Sequence, residues 1–140
     1  MISQLLSNLN WLHVIVAAVA YFILGAIWYS PVLFAKPWAK MVNINMNDPN
    51  AKKGMGMMMV GSFVLMLIAT IGLGLMYEVI PITTAAHAIK YGLLFGVCFA
   101  GTAISISFIY EKKPIGLYLI DGGYHLAGLI VASLVLVLWK

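Results

Sequence analysis

Four apolar runs, each long enough to cross a lipid bilayer, take up most of this chain and leave little for any other structure. A hydrocarbon core about 30 Å thick needs about 20 helical residues to span it. The apolar stretches are residues 12–28, 55–77, 85–110 and 115–139. The first extends upstream through Leu9 and Trp11 and downstream to Leu33, which sets the predicted spans at about 10–33, 55–77, 85–110 and 115–139. Hydrophobic residues fill 64% of the 140 positions and charged residues 9%, a balance that no water-soluble domain of this length carries on its surface. A signal peptide is the competing reading of the first run, and the absence of any Lys or Arg before it argues against that. The second and third connections are short, so consecutive helices are antiparallel neighbours. The prediction is one all-α membrane domain over residues 1–140, polytopic, with four transmembrane helices in an antiparallel bundle.

Orientation follows from the lysines, since the chain has no arginine. Lys36, Lys40, Lys52 and Lys53 lie in the first loop and Lys112 and Lys113 in the third. The N-terminal segment has none, Lys90 starts the third span, and Lys140 closes the sequence. Basic loops stay in the cytoplasm, which puts both termini outside it. Aromatic residues at headgroup level agree: Trp11, Tyr77 and Trp139 mark one interface, and Trp28, Tyr29, Tyr110 and Tyr118 the other. The net charge of +4 fits this topology and contact with anionic lipid, and does not indicate nucleic-acid binding.

Local signals place the helix ends. Asp48-Pro49 reads as an N-cap with proline at the first helical position, Thr83 or Thr84 can cap the third helix after Pro81, and Lys113-Pro114 starts the fourth. Within the loop at 34–54, Phe34, Trp38 and Met41 fall on one helical face and Lys36 and Lys40 on the other, the pattern of an interfacial helix. Spans one and three run the same way and each leads through a basic, proline-containing loop, so two hairpins related by an axis along the membrane normal are a further expectation.

Packing and polar residues narrow the functional options. On the third helix Gly92, Gly96 and Ala100 form a stripe of small residues that continues to Ala103 and Ser107, where another helix, of the same bundle or of a second copy, can approach closely. On the fourth, Asp121 and His125 share a face with Gly128 and Ala132, next to Tyr124. At a rise of about 1.5 Å per residue, Asp121 lies roughly 9 Å and His125 roughly 15 Å inside the membrane. An acid there costs roughly 2.5–3.5 kcal/mol on insertion scales, which makes it a functional-site candidate. Two accounts compete: the pair satisfies each other as helix glue, with Cys98, Thr102, Ser105 and Tyr21 at similar depth, or it forms a proton- or cation-linked site. Cys98 alone can form no internal disulfide and reads as a packing residue. Met55, Met57, Met58 and Met59 suggest copper less than adaptable apolar filler, and His13, His87 and Glu78 lack tight metal-ligand spacing. No metal or other cofactor is expected. Nothing matches a nucleophile elbow or a phosphate-binding glycine loop, so the chain is not expected to be an enzyme.

At Trp28-Tyr29-Ser-Pro31-Val-Leu-Phe34-Ala-Lys36-Pro37-Trp38, and at Tyr110-Glu111-Lys-Lys-Pro114 with Gly123-Tyr124-His125, the chain resembles a bacterial membrane-protein family catalogued only as domain of unknown function 1761. The resemblance covers nearly the whole chain. It implies a four-helix inner-membrane protein and carries no reaction. It makes Trp28, Tyr29, Pro31, Lys36, Pro37, Trp38, Tyr124 and His125 family positions, the first six forming a cytoplasmic-face motif separate from the intramembrane pair. The functional expectation is a homo-oligomeric transporter or channel-like protein with Asp121 and His125 at an internal polar site. The alternative is a non-catalytic accessory subunit bound to a larger membrane complex or to lipid.

Overall fold

A computed structural model describes residues 1–139; Lys140, expected at the outer end, lies outside the described residues. Six helices form: α1 (Ile2–Asn8), α2 (Trp11–Trp28), α3 (Ala35–Met41), α4 (Met55–Val79), α5 (Ala85–Tyr110) and α6 (Ile115–Leu138). No strand occurs among the described residues, and α2, α4, α5 and α6 are long and apolar enough to cross a membrane. Two of them contain one π-helical turn, Gly96–Gly101 in α5 and Tyr118–Gly122 in α6.

The helix ends follow local chemistry, with some departures from the sequence expectation. Asn10 accepts the His13 N–H at the start of α2 (3.3 Å), and Thr84, not Thr83, caps α5 by accepting the His87 N–H (3.2 Å). The first span ends at Trp28 instead of running to 33: Pro31 has no N–H to continue the helix, and the chain turns so that the Phe34 N–H returns to the Trp28 carbonyl (3.0 Å). The second helix does not start at Asp48-Pro49. Asp48 instead accepts the Asn50 N–H (2.8 Å) in a local turn, and Gly54 takes the left-handed conformation (φ 78°) immediately before Met55. Pro114 sits just before α6 with extended backbone, not inside its first turn. The short α1 was not anticipated; behind it, Leu9 lies buried against Gly74 of α4.

The four long helices stand in the order α4, α2, α6, α5, with every neighbouring pair antiparallel. α6 is the central member, packed along α2 on one side and α5 on the other, while α4 leans mainly on α2; α5 forms no packed interface with α4, against the expectation from the short connection between them, because α6 takes the place beside α5 and α2 the place beside α4. This order removes the expected two-fold relation between hairpins. Such an axis would require an α4–α5 contact as the image of the α2–α6 contact.

Small residues set the close approaches. Across α2 and α6 the packing is reciprocal: the Tyr21 ring lies on Gly128, and the Tyr124 ring lies on Gly25, where an added Cβ would come 2.8 Å from the Tyr124 hydroxyl. Gly92 faces the Ile130 backbone (2.8 Å from an added Cβ), Gly96 faces Leu126, and Ala100 packs on the same core. Gly92, Gly96 and Ala100 of the α5 stripe are therefore used within the chain, while Ala103 and Ser107 are exposed. Cys98, expected as a packing residue, is exposed on the outside of α5, together with Val97 and Phe99.

Candidate functional site

The two ionisable residues of α6 do not bond each other. Each is met by a tyrosine from α2 instead. The Tyr21 hydroxyl lies 2.7 Å from His125 Nδ1. Tyr21 is only 2% exposed and has no other polar partner, so its O–H is satisfied only by donating to Nδ1, which leaves the proton of the neutral ring on Nε2. One turn towards the first loop, the Tyr29 hydroxyl donates to Asp121 Oδ1 at 2.7 Å. No side-chain nitrogen or oxygen among the described residues is both buried and unpartnered, and Asp121 and His125 both border free space.

That space is a cavity of about 990 Å³ between the splayed helices α4 and α5, floored by α2 and α6. Asp121, Tyr124 and His125 line its floor with Phe22 and Tyr29 of α2. Met55, Met58, Met59, Ser62 and Met66 form the α4 wall, and Ala103, Ile104, Ser107 and Phe108 the α5 wall. Trp38, Ile44, Met46 and Lys52 of the first-loop region line one end. The other end is sealed where the Tyr124 hydroxyl donates to Met66 Sδ (3.6 Å) and, further along, Tyr77 donates to Ser133 Oγ (2.7 Å). The cavity is a vestibule that runs from the first loop to the level of His125 and is also open along the gap between α4 and α5.

The local backbone of α6 explains why Asp121 sits as it does. A π turn widens the helix by one residue and frees a carbonyl from the regular ladder. The turn at Tyr118–Gly122 contains Asp121, and the Ile120 carbonyl accepts the Trp28 indole N–H at 3.0 Å. In α5 the equivalent need is met by the Thr102 hydroxyl, which donates to the Cys98 carbonyl (2.8 Å). Thr102 is thereby committed to its own helix and is not a partner of His125.

Trp28, Tyr29 and Trp38 therefore belong to the Asp121 site and do not form a separate surface. Trp28 fixes the π turn, Tyr29 binds the carboxylate, and Trp38 stacks edge-on to Tyr29 (5.7 Å between ring centres) with its indole beside Asp121. Tyr124 is buried at the junction, 5.3 Å from Tyr29 and 5.4 Å from Tyr21. Pro31, Lys36 and Pro37 are exposed and line no part of the cavity; Pro31 ends α2, and Lys36 and Pro37 lie in the first turn of α3. The buried Ala35 and Ala39 of α3 border the cavity, and Met41 reaches Gly116 at the start of α6.

Sequence reasoning did not find Phe22, Met66 and Phe108, which line the cavity only because α4 and α5 diverge. Tyr21 and Tyr29 were visible, but their pairing needs the α2–α6 register: 21 with 125 and 29 with 121 both follow from antiparallel helices in contact. Of the methionines in the copper-like cluster, Met55, Met58 and Met59 face the cavity and Met57 does not. At the opposite end His13 stacks on Trp139 (5.8 Å), and with Glu78 it borders a small cleft of about 70 Å³ that His87 does not reach. Among the described residues no three His, Cys, Asp or Glu side chains come together as metal ligands.

No curated protein and no solved structure matches the chain. A family model described as "Protein of unknown function (DUF1761)" matches residues 12–137, and so the helices, the tyrosine partners and the acid of this vestibule all lie within the matched span of a chain that belongs to that family.

Proposed function

We propose that the protein is a small transporter-like membrane protein of a bacterial inner membrane, which admits a ligand to Asp121 and His125 from the side of its first and third loops. The observation that carries this reading is the vestibule itself: helix glue needs paired, enclosed polar groups, whereas Asp121 and His125 both border a cavity of about 990 Å³. A cavity that stops at the level of His125 and does not continue through the half near the termini fits one state of an alternating-access cycle. The six lysines of loops one and three support a cytoplasmic position for the first-loop end. A row of four helices with a gap between α4 and α5 also leaves a surface for a second copy. The same gap favours the runner-up, an accessory subunit whose partner fills it with a helix.

Proteoliposomes separate the two. Under a pH gradient the parent protein should carry proton flux, and Asp121→Asn should abolish it while keeping the melting temperature within a few degrees. No flux under any proton or cation gradient, with Asp121→Asn equally stable, would shift the assignment to the accessory subunit. Orientation is checked separately: in a Cys98→Ser background, Asn45→Cys should be shielded from an impermeant thiol reagent in cells with an opened outer membrane, and Pro81→Cys should be labelled.

A further inference from the structure

We propose that the vestibule takes a lipophilic organic cation, an amine or quaternary onium group on an apolar body, which enters between α4 and α5. This rests on the reading of the cavity as a ligand site and names the chemistry it would select. Asp121 borders the cavity with the Tyr29 hydroxyl and the Trp38 indole beside it and no lysine paired to it; the one ion pair among the described residues is Lys113 with Glu111 (3.4 Å), at the surface. Around the carboxylate stand three aromatic rings, Tyr29 lying between the others at 5.7 Å from Trp38 and 5.3 Å from Tyr124. A carboxylate beside aromatic faces attracts an organic cation by charge and by the ring quadrupole, worth about 0.5–2 kcal/mol per ring when desolvated.

The rest of the wall argues against other occupants. An inorganic cation stripped of water needs about six oxygen ligands, and this wall offers few. An anion would face Asp121. The remaining lining is apolar and rich in methionine, whose flexible thioethers adapt to irregular bodies. The cavity volume falls within the range of small-molecule sites, about 300–1,000 Å³. The lateral gap gives an apolar molecule a route from the bilayer, because α4 and α5 form no packed interface that must first be broken. Lys52 is the one cationic side chain on the lining, on the exposed loop at the mouth. It opposes a cation there, and the lateral route avoids it.

Tetraphenylphosphonium and tetraphenylborate share a shape and differ in charge, which makes them the probes. Equilibrium dialysis against the purified full-length protein in detergent should show saturable tetraphenylphosphonium binding that tetraphenylborate does not displace. Asp121→Asn should weaken it by about tenfold or more, Asp121→Glu by no more than a few fold, and Trp38→Leu by about three- to tenfold. Should Asp121→Asn fail to fold, Ala103→Trp, which fills the cavity from the exposed α5 wall, should abolish binding in a protein with unchanged melting. Absence of binding, equal displacement by tetraphenylborate, or equal affinity in Asp121→Asn would each overturn the cation assignment. Proton flux surviving any of these results would leave the transport reading in place, so the two ideas fail separately.

Discussion

The same two helices, α2 and α6, cross the molecule from end to end, yet their two halves behave differently. Toward the termini they meet through Ala17, Ala18, Ala132 and Ser133, all at 0% exposure, with Thr70, Leu73 and Gly74 of α4 closing the third side. Toward the first loop the contact continues through Gly25 and Tyr124, but α4 and α5 swing away and a vestibule opens. Polar groups follow that division. In the closed half Ser133 accepts from Tyr77 and Thr70 donates to the Leu67 carbonyl, so nothing is left to bind. In the open half Tyr21 holds His125, Tyr29 and the Trp38 indole stand at Asp121, and both residues border the cavity. Apolar attraction between helices is weak in lipid, where packing of small residues does most of the holding. The protein concentrates small residues at one end and can leave the other end open.

The largest test of that division is Gly128→Leu. The Tyr21 ring occupies the place where a side chain would have to go, so α2 and α6 cannot close and the folded protein should be lost from detergent extracts. Gly128→Ala should already cost about 1–3 kcal/mol through overpacking. Gly96→Leu, against Leu126, should act the same way at the α5–α6 contact. Ala103→Leu on the cavity wall adds similar bulk to an exposed position and should leave thermal melting nearly unchanged. Equal damage from Gly128→Leu and Ala103→Leu would mean that the two halves are packed alike.

A smaller effect is expected where single hydrogen bonds hold each half. Trp28→Phe keeps the ring against Phe34 (4.9 Å between centres) but removes the donor to the Ile120 carbonyl, at a cost of about 1–3 kcal/mol for a buried group left unpaired. It should also loosen the π turn and weaken binding at Asp121. Tyr77→Phe removes the bond to Ser133 in the closed half, and polar contacts between membrane helices average about 0.6 kcal/mol. Thermal melting of both variants ranks them, and a larger loss for Tyr77→Phe would move the critical polar contact to the closed end.

Most of the architecture was legible because hydropathy and loop length leave few choices for a chain of this kind. The four spans, the placement of Asp121 and His125 on an inward face and the Gly92–Gly96 contact follow from spacing; the short loop between α4 and α5 also predicts those two as neighbours, and they are not. What was not legible depends on which helices are neighbours. Spacing within α6 pairs Asp121 with His125, whereas their partners are Tyr29 and Tyr21, which only the α2–α6 register brings to them. Thr102 looked available because a π turn, which claims its hydroxyl, leaves no mark in residue periodicity. The Trp28–Trp38 motif passed for a surface feature because its connection to Asp121 runs through a carbonyl, at Ile120, and through the tight turn after Pro31. The cavity comes from an absent contact, between α4 and α5, and no residue in either helix announces that absence.

The mildest test perturbs nothing and asks only where water goes. In a Cys98→Ser background, which removes the exposed thiol of α5, single cysteines at Ser62 on the α4 wall and Ser133 in the closed half compare the two ends at sites of similar side-chain size. Thiol reagents attack the thiolate, which forms only where water reaches the sulfur. Ser62→Cys should react with a small charged methanethiosulfonate within minutes and be slowed by an organic cation occupying the vestibule. Ser133→Cys, with no exposed surface and with Tyr77 against it, should stay unmodified until the protein is denatured. The expected contrast is at least tenfold in rate. If both positions react alike, the closed half is hydrated too and the site is a continuous pore; if neither reacts, the vestibule is filled by lipid or by a partner helix, and Asp121 and His125 face that occupant instead of water.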